Sequence, residues 1–334
     1  MNSENAVTKK QHFVPQFYLR RFLNGNNVVE VLDREHMKCI APKGTKGICY
    51  EDYFYGMRTG QPDDLSQRIE NYFRQIESEI SKRIDLIIPK FLTSEQVTDE
   101  EKWVVALLMS MVWVRGPVMR NQVNELSEKA LKWMNEMRFS ILPAQRIFDK
   151  FDEETGKTTT PEERERIKEM MVSKNYSLDF SNELHLMMFD DINKYANLFF
   201  AQHWTVYISK LQQKFITSDN PLAIVFPKHK GFYPPSFLER IHHFSLTPEI
   251  CIKARYSDKD SGKKLKRETL FRGSEKEVLE LNMIIAGQAH KYVYAKGKQD
   301  LEDILTEVRW QQEYFATPEG KIVKEKLDAE RNSS

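Results

Sequence analysis

Apolar residues at Leu65, Ile69, Tyr72, Phe73, Ile76, Ile80, Ile84 and Ile87 recur at three- and four-residue steps, which is the period of one helix face. The spacing predicts an amphipathic helix from Leu65 to Pro89. Thr98-Asp99-Glu100-Glu101 then has the spacing of a capping box, so a second helix starts near Asp99, runs through "KWVVALLMSMVWV" and stops at Arg115-Gly116-Pro117. Its apolar residues cover nearly all sides, the pattern of a helix surrounded by others. A third helix is expected from Pro117 to about Phe139. The polar stretch "DKFDEETGKTTT" reads as a loop or hinge, and Thr160-Pro161-Glu162-Glu163 opens a short charged helix. One more helix spans about Ser181 to Gln202.

The pattern then changes period. "WTVYIS", "QKFITS", "LAIVF", "HHFSLT" and "EICIKARY" are short β-prone runs between turn residues, and "KYVYAK" is another after a helix over "SEKEVLELNMIIAGQAH". A final helix covers Leu301 to Phe315. Ahead of the first long helix, "QFYLRRF" suits a short helix and "VVEVLD" with "KCIAP" a hairpin or irregular β layer. The expected class is α+β, with a helical N-terminal and central part packed on a mixed, mainly antiparallel sheet from the C-terminal half. The expected division is 1–148 (arm, β layer and bundle), 149–165 (polar loop or hinge), 166–316 (helix and sheet, packed with the first as one unit) and 317–334 (charged tail).

Composition narrows the classes. The 334 residues carry 50 Lys and Arg against 49 Asp and Glu, so net charge points to no partner and any nucleic-acid argument needs a local patch. Three widely spaced cysteines, Cys39, Cys49 and Cys251, match neither a disulfide framework nor a zinc pattern. The polar opening "MNSENAVTKKQ" has no apolar signal core, and the run Trp103 to Val114 is too short to span a bilayer. A cytoplasmic location without membrane contact is the expectation. No Walker A, GxGxxG or GxSxG sequence occurs, which argues against ATP, dinucleotides and an α/β-hydrolase serine. His203, His229, His242, His243 and His290 show no ligand spacing of a zinc site.

Four ordered motifs stand out: "QHFVPQFYLRRF" from Gln11, "FITSDNP" from Phe215, "FSLTPE" from Phe244, and Asn282 in a late helix. On these the chain resembles the DUF4238 family, a family of unknown function, from Gln11 to about Ala295. The resemblance implies a shared fold and supplies no reaction, cofactor or catalytic residue.

The chemistry therefore rests on the residues. His12 precedes a short helix begun at Pro15 and can act as a general acid or base, with Gln11 and Arg20 as neighbours for an anion. Its bland alternative is a histidine bonded to a backbone carbonyl beside packed aromatics. Asp219 in "TSDNP" suits a general base or metal ligand, with Ser218 and Asn220 donating to an oxyanion or phosphate. The same residues also suit an Asx-turn that satisfies only itself. Glu70 and Glu77 lie two turns apart on one side of the first long helix. They suit either a cleft shared with His12 or ion pairs to a neighbouring helix. Arg115 can neutralise its helix C-terminus or clamp a phosphate. From Lys253 to Arg272 eight Lys or Arg stand against three acids, a stretch that can follow a phosphate backbone or simply be solvated.

These readings converge on a hydrolase acting on a phosphodiester or nucleic acid, catalysed by His12, Asp219 and Glu77, with Gln11, Arg20, Arg115, Ser218 and Asn220 binding substrate. No cofactor is expected, and a divalent metal is compatible with the acids. The alternative is a non-enzymatic binding or toxin-like effector module in which both motifs are structural. The two separate on whether His12, Asp219 and a glutamate share one pocket.

Overall fold

The segment that is apolar on every side in the sequence is buried along nearly its whole length. The structure is a computed structural model and describes residues 7–58, 60–93, 95–226, 239–256, 265–270 and 274–332. The chain opens with β1 (Lys10–His12) and a single turn, α1 (Gln16–Leu19), followed by β2 (Val29–Asp33), β3 (Lys38–Lys43) and β4 (Tyr50–Asp52). Three long helices follow: α2 (Asp64–Leu92), α3 (Asp99–Arg115) and α4 (Pro117–Ile141). The capping box at Thr98 and Glu101 forms in both directions, and Asp63 caps α2 by accepting from the Ser66 amide.

Next come α5 (Ala144–Thr155), α6 (Pro161–Ser173), α7 (Glu183–Met187) and α8 (Ile192–Phe200), the last packed along α3. The remaining elements are β5 (His203–Ser209), β6 (Thr217–Ser218), β7 (Leu222–Val225), β8 (Ile241–Thr247), β9 (Ile250–Arg255), β10 (Leu265–Leu270), α9 (Glu275–Gln288), β11 (Tyr292–Ala295), α10 (Lys298–Ala316) and α11 (Pro318–Asn332).

The strands among the described residues form three sheets. A five-stranded sheet has the order β10-β5-β9-β8-β7, parallel only between β10 and β5. A four-stranded antiparallel sheet, β3-β2-β11-β6, joins the early hairpin to the late strand. The third pairs β1 with β4, His12 opposite Tyr50. The architecture is α+β, with the sheets mixed and mainly antiparallel. Its larger core runs from Phe13, Tyr18 and Phe22 of the arm through α2 and α3 to Trp204 and Ile252 of the large sheet.

Four segments depart from the sequence pattern. The stretch 149–165 is mostly helical, not a loop: Phe148 is buried against Phe139, α5 continues to Thr155, and Gly156 ends it at a φ of +66°. Asp152 then ties the short connection down by accepting from Thr159 and Arg164. The helix expected over Ser181 to Gln202 is broken by a tight turn at Met188–Asp191 that carries Phe189 edge-on to Tyr55 and Phe73. The charged tail is helical as α11, and β10 is a strand that alternation did not reveal.

Candidate active site

The arm is locked before its histidine is placed. The Gln11 side chain is fully buried; its oxygen accepts from the Tyr55 amide at 2.8 Å, and its nitrogen faces the carbonyls of Thr8 and Ser66 at 3.3 Å each. The Tyr18 hydroxyl meets Thr217 Oγ1 at 2.6 Å and donates to the Ser245 carbonyl at 2.7 Å, so segments from both ends of the chain meet at one buried node. A buried polar group is costly unless bonded, and these are bonded.

His12 is held by its backbone. Its carbonyl accepts from the Tyr55 hydroxyl at 2.8 Å and from Arg115 Nη2 at 2.7 Å. Arg115 is itself buried at the end of α3, giving Nε to the Tyr55 hydroxyl at 2.8 Å and Nη1 to Glu77 Oε1 at 2.6 Å, with its guanidinium 4.0 Å from the Phe73 ring centroid. The imidazole is less constrained. Nδ1 faces the Gln16 amide at 3.4 Å, a long contact, and the ring also meets the backbone of Thr45.

His12, Glu70, Glu77, Arg115 and Arg20 line one cleft of about 360 Å³, together with Thr8, Lys10, Gln16, Phe17 and Arg74. Burial above all, helped by Arg115 and Lys10 against the Thr45 backbone, holds the His12 pKa down to about 4, so the ring is neutral near pH 7. Burial also pushes the Glu70 carboxyl upward, Glu77 adding to this while Arg115 and Arg74 oppose it. Glu70 Oε2 has no hydrogen-bond partner, and Oε1 is 3.9 Å from Arg74. Arg20 is exposed at the cleft and makes no ion pair among the described residues; Lys10 sits over the Tyr50 ring at 4.6 Å. A neutral base, a carboxyl biased toward its acid form and cations thus border one space, the pairing that divides acid from base roles in catalysis.

The family model described as a protein of unknown function, DUF4238, matches residues 10–299. The chain belongs to the DUF4238 family. No curated protein and no solved structure matches it.

In this DUF4238 chain the central motif lies apart from the cleft. Asp219 is buried and accepts from the amides of His290, Lys291 and Tyr292 at 2.7, 2.8 and 3.0 Å. It lines a second cavity of about 230 Å³ with Phe13, Cys49 and Tyr294. Neighbouring arm residues His12 and Phe13 therefore border different cavities, and neither of these two cavities holds both His12 and Asp219. Burial raises the Asp219 pKa against the three amide bonds. Ser218 Oγ donates to the Asn220 carbonyl and accepts from the Asn220 amide, while Asn220 Nδ2 donates to the Gln288 carbonyl. That is the self-satisfied turn, extended to a helix end. Asn282 does the same, accepting from the Ile216 amide and donating to the Lys214 carbonyl.

Glu77 meets both expectations: it lines the cleft with His12 and it pairs with Arg115 of the neighbouring helix. Glu70, seven residues earlier, has no hydrogen bond at Oε2 and only a 3.9 Å ion pair to Arg74 at Oε1. Lys10, Gln16 and Arg74 line the cleft as well: Gln16 lies within the quoted motif, Lys10 one residue before it, and Arg74 four residues after Glu70. Among the described residues no three His, Cys, Asp or Glu side chains are grouped to hold a metal ion. Cys49 and Cys251 are buried, and burial raises both thiols, Cys251 to about 12. Of the basic stretch Lys253 to Arg272, residues 257–264 and 271–272 lie outside the described residues, as does His229, and none of the described part lines the cleft. Among the described residues no single helix is long and apolar enough to cross a membrane.

Proposed function

We propose that this protein is a hydrolase of phosphodiesters, with nucleic acid as the natural carrier of that bond, and that its reaction centre is the cleft between the arm and α2. The observation that carries the reading is the coexistence in one cleft of the neutral His12 imidazole and the Glu70 carboxyl, whose Oε2 has no hydrogen bond and whose pKa burial pushes upward. His12 takes a proton from the attacking water as its oxygen bonds to phosphorus. Glu70 gives its proton to the leaving ester oxygen as the P–O bond breaks. Lys10, Arg20 and Arg74 supply positive charge to the non-bridging oxygens, and Arg115 fixes the floor of the cleft. Asp219 is left with a structural task.

A binding module with purely structural motifs calls for His12 and Asp219 both buried with every hydrogen bond satisfied by backbone. Asp219 fits that description. His12 fits it less fully, since beyond the Thr45 backbone its ring has only the long Gln16 contact and it borders the cleft, and the shared cleft favours the enzymatic reading.

The test is hydrolysis of bis-(p-nitrophenyl) phosphate and of single- and double-stranded oligonucleotides by the purified protein, with added Mg²⁺ or Mn²⁺ and with EDTA. Turnover that inorganic phosphate inhibits competitively supports the cleft as the site. Absence of turnover on every substrate under both metal conditions rejects the hydrolase.

A further inference from the structure

The cavity that Asp219 lines is the neighbour of the cleft, and one side chain joins them. Tyr50 lines the cavity, its ring centroid is 5.6 Å from that of His12, and Lys10 Nζ lies 4.6 Å over it; His12 and Lys10 both line the cleft. The buried part of the cavity's lining is apolar at Phe13, Val31 and Ile48, with the Cys49 thiol and the Tyr294 hydroxyl as polar points. Burial raises the pKa of both, so they offer hydrogen bonds without charge. The less buried rim carries Tyr50, Tyr292, Lys43 and Lys291. Lys43 Nζ sits 5.4 Å from the Tyr292 ring centroid, and neither lysine makes an ion pair among the described residues, whereas the rim acid Glu51 is held by Arg120. Asp219 sets this rim by holding the amides of Lys291 and Tyr292.

We propose that this cavity receives one unpaired nucleobase of a single-stranded nucleic acid whose phosphodiester lies in the cleft, which deepens the phosphodiesterase reading and rests on it. Size argues for a part of a larger ligand. The cavity holds about 230 Å³, below the roughly 300–1,000 Å³ of a pocket that takes a whole small molecule, and the rest of the ligand has the 360 Å³ cleft beside it. The lining argues for a base. Aromatic rings interleaved with cations are the surface that stacks bases and follows phosphates along a single strand, and here each rim tyrosine carries a lysine, Lys10 on Tyr50 and Lys43 on Tyr292. The neutral Cys49 and Tyr294 groups suit the hydrogen-bonding edge of a base better than an anion. A paired base reaches such a cavity only by leaving its stack, at a cost that a single strand escapes.

Fluorescence anisotropy on the full chain tests the proposal, with three fluorescein-labelled, nuclease-resistant phosphorothioate probes: a six-nucleotide single strand, the same strand made abasic, and the duplex. The wild type is expected to bind the single strand about tenfold more tightly than either of the others. Tyr292→Ala, with circular dichroism unchanged, should lose that preference and Tyr292→Phe keep it, since stacking needs the ring and not the hydroxyl. Lys43→Ala should lower the salt slope of strand binding by about one. Equal wild-type affinity for the intact and abasic strands overturns the base site without any variant, and so does a folded Tyr292→Ala that retains the preference. Binding is read without turnover, so the two readings fail separately. Hydrolysis of bis-(p-nitrophenyl) phosphate without base preference removes the base site alone, and a Tyr292-dependent base preference without hydrolysis removes the reaction alone.

Discussion

Arg115 grips His12 by its backbone carbonyl, 2.7 Å from Nη2, and leaves the imidazole to the Thr45 backbone and a long Gln16 contact. The same guanidinium holds Glu77 and the Tyr55 hydroxyl, so one buried cation fixes the end of α3, the middle of α2 and the arm. Position is thereby separated from chemistry.

Removing that cation strands its partners. Arg115→Met is expected to destabilise the fold by about 3–5 kcal/mol, the usual consequence of breaking one side of a buried ion pair, read as a lower urea midpoint. Arg115→Lys should recover only part of the loss, because one ammonium cannot serve three directions as the planar fork does. Equal stability of Arg115→Met and wild type contradicts the network's role.

Glu70 should behave in the opposite way. Its carboxyl is desolvated and half unbonded, so Glu70→Gln is expected to leave stability unchanged or slightly raised while lowering kcat by about 10²–10⁴-fold. A residue whose loss removes activity and spares the fold is acting in the reaction. A simultaneous loss of stability places Glu70 in the scaffold instead.

Asp219→Asn exchanges one acceptor oxygen for an NH₂ group facing backbone donors. The expected cost is about 2–4 kcal/mol in a denaturant titration, with kcat of the folded fraction close to wild type. Selective loss of kcat at unchanged stability would return Asp219 to the catalytic role that its sequence context suggests.

Acid should weaken the protein through its histidines. Burial holds His12, His185 and His243 near pKa 4 and His242 near 3, all below the unfolded value of 6.5. Between those limits the unfolded chain binds more protons, so these groups' stabilisation is complete above pH 6.5 and is lost as pH falls through their folded values. Raised carboxyls such as Asp300, lifted to about 6 by burial, act in reverse: their stabilisation is present at low pH and is lost as pH rises through about 6. His185 alone accounts for roughly 3 kcal/mol between pH 6.5 and 4. Stability measured from pH 7 to 4 should therefore fall less steeply in His185→Gln than in wild type, and parallel curves contradict the assignment.

Periodicity made the long helices, their caps and most strands legible, because each is decided by local side-chain spacing. It could not show that Phe189 is needed in an aromatic cluster with Tyr55 and Phe73, which is why the helix expected over Ser181 to Gln202 is broken. Nor could it show that Phe148 and Arg164 secure 149–155 as helix. The arm, Arg20, Arg115 and the glutamate edge of α2 line one cleft, from which Asp219, expected beside His12, is missing. The division of labour between Glu70 and Glu77 was hidden, since it depends on which of two equivalent helix positions a distant arginine reaches. Asp219 carries every sequence mark of a functional acid, and only its three amide donors, supplied by residues about 70 positions away, reveal its work.

The most direct measurement is phosphodiester hydrolysis by His12→Gln, Glu70→Gln and Asp219→Asn side by side with wild type, each shown to be folded by circular dichroism. The account predicts that the first two lose at least about 10²-fold in kcat while folded Asp219→Asn retains it. Retained activity in both cleft variants, or selective loss in Asp219→Asn, contradicts the cleft as the reaction centre.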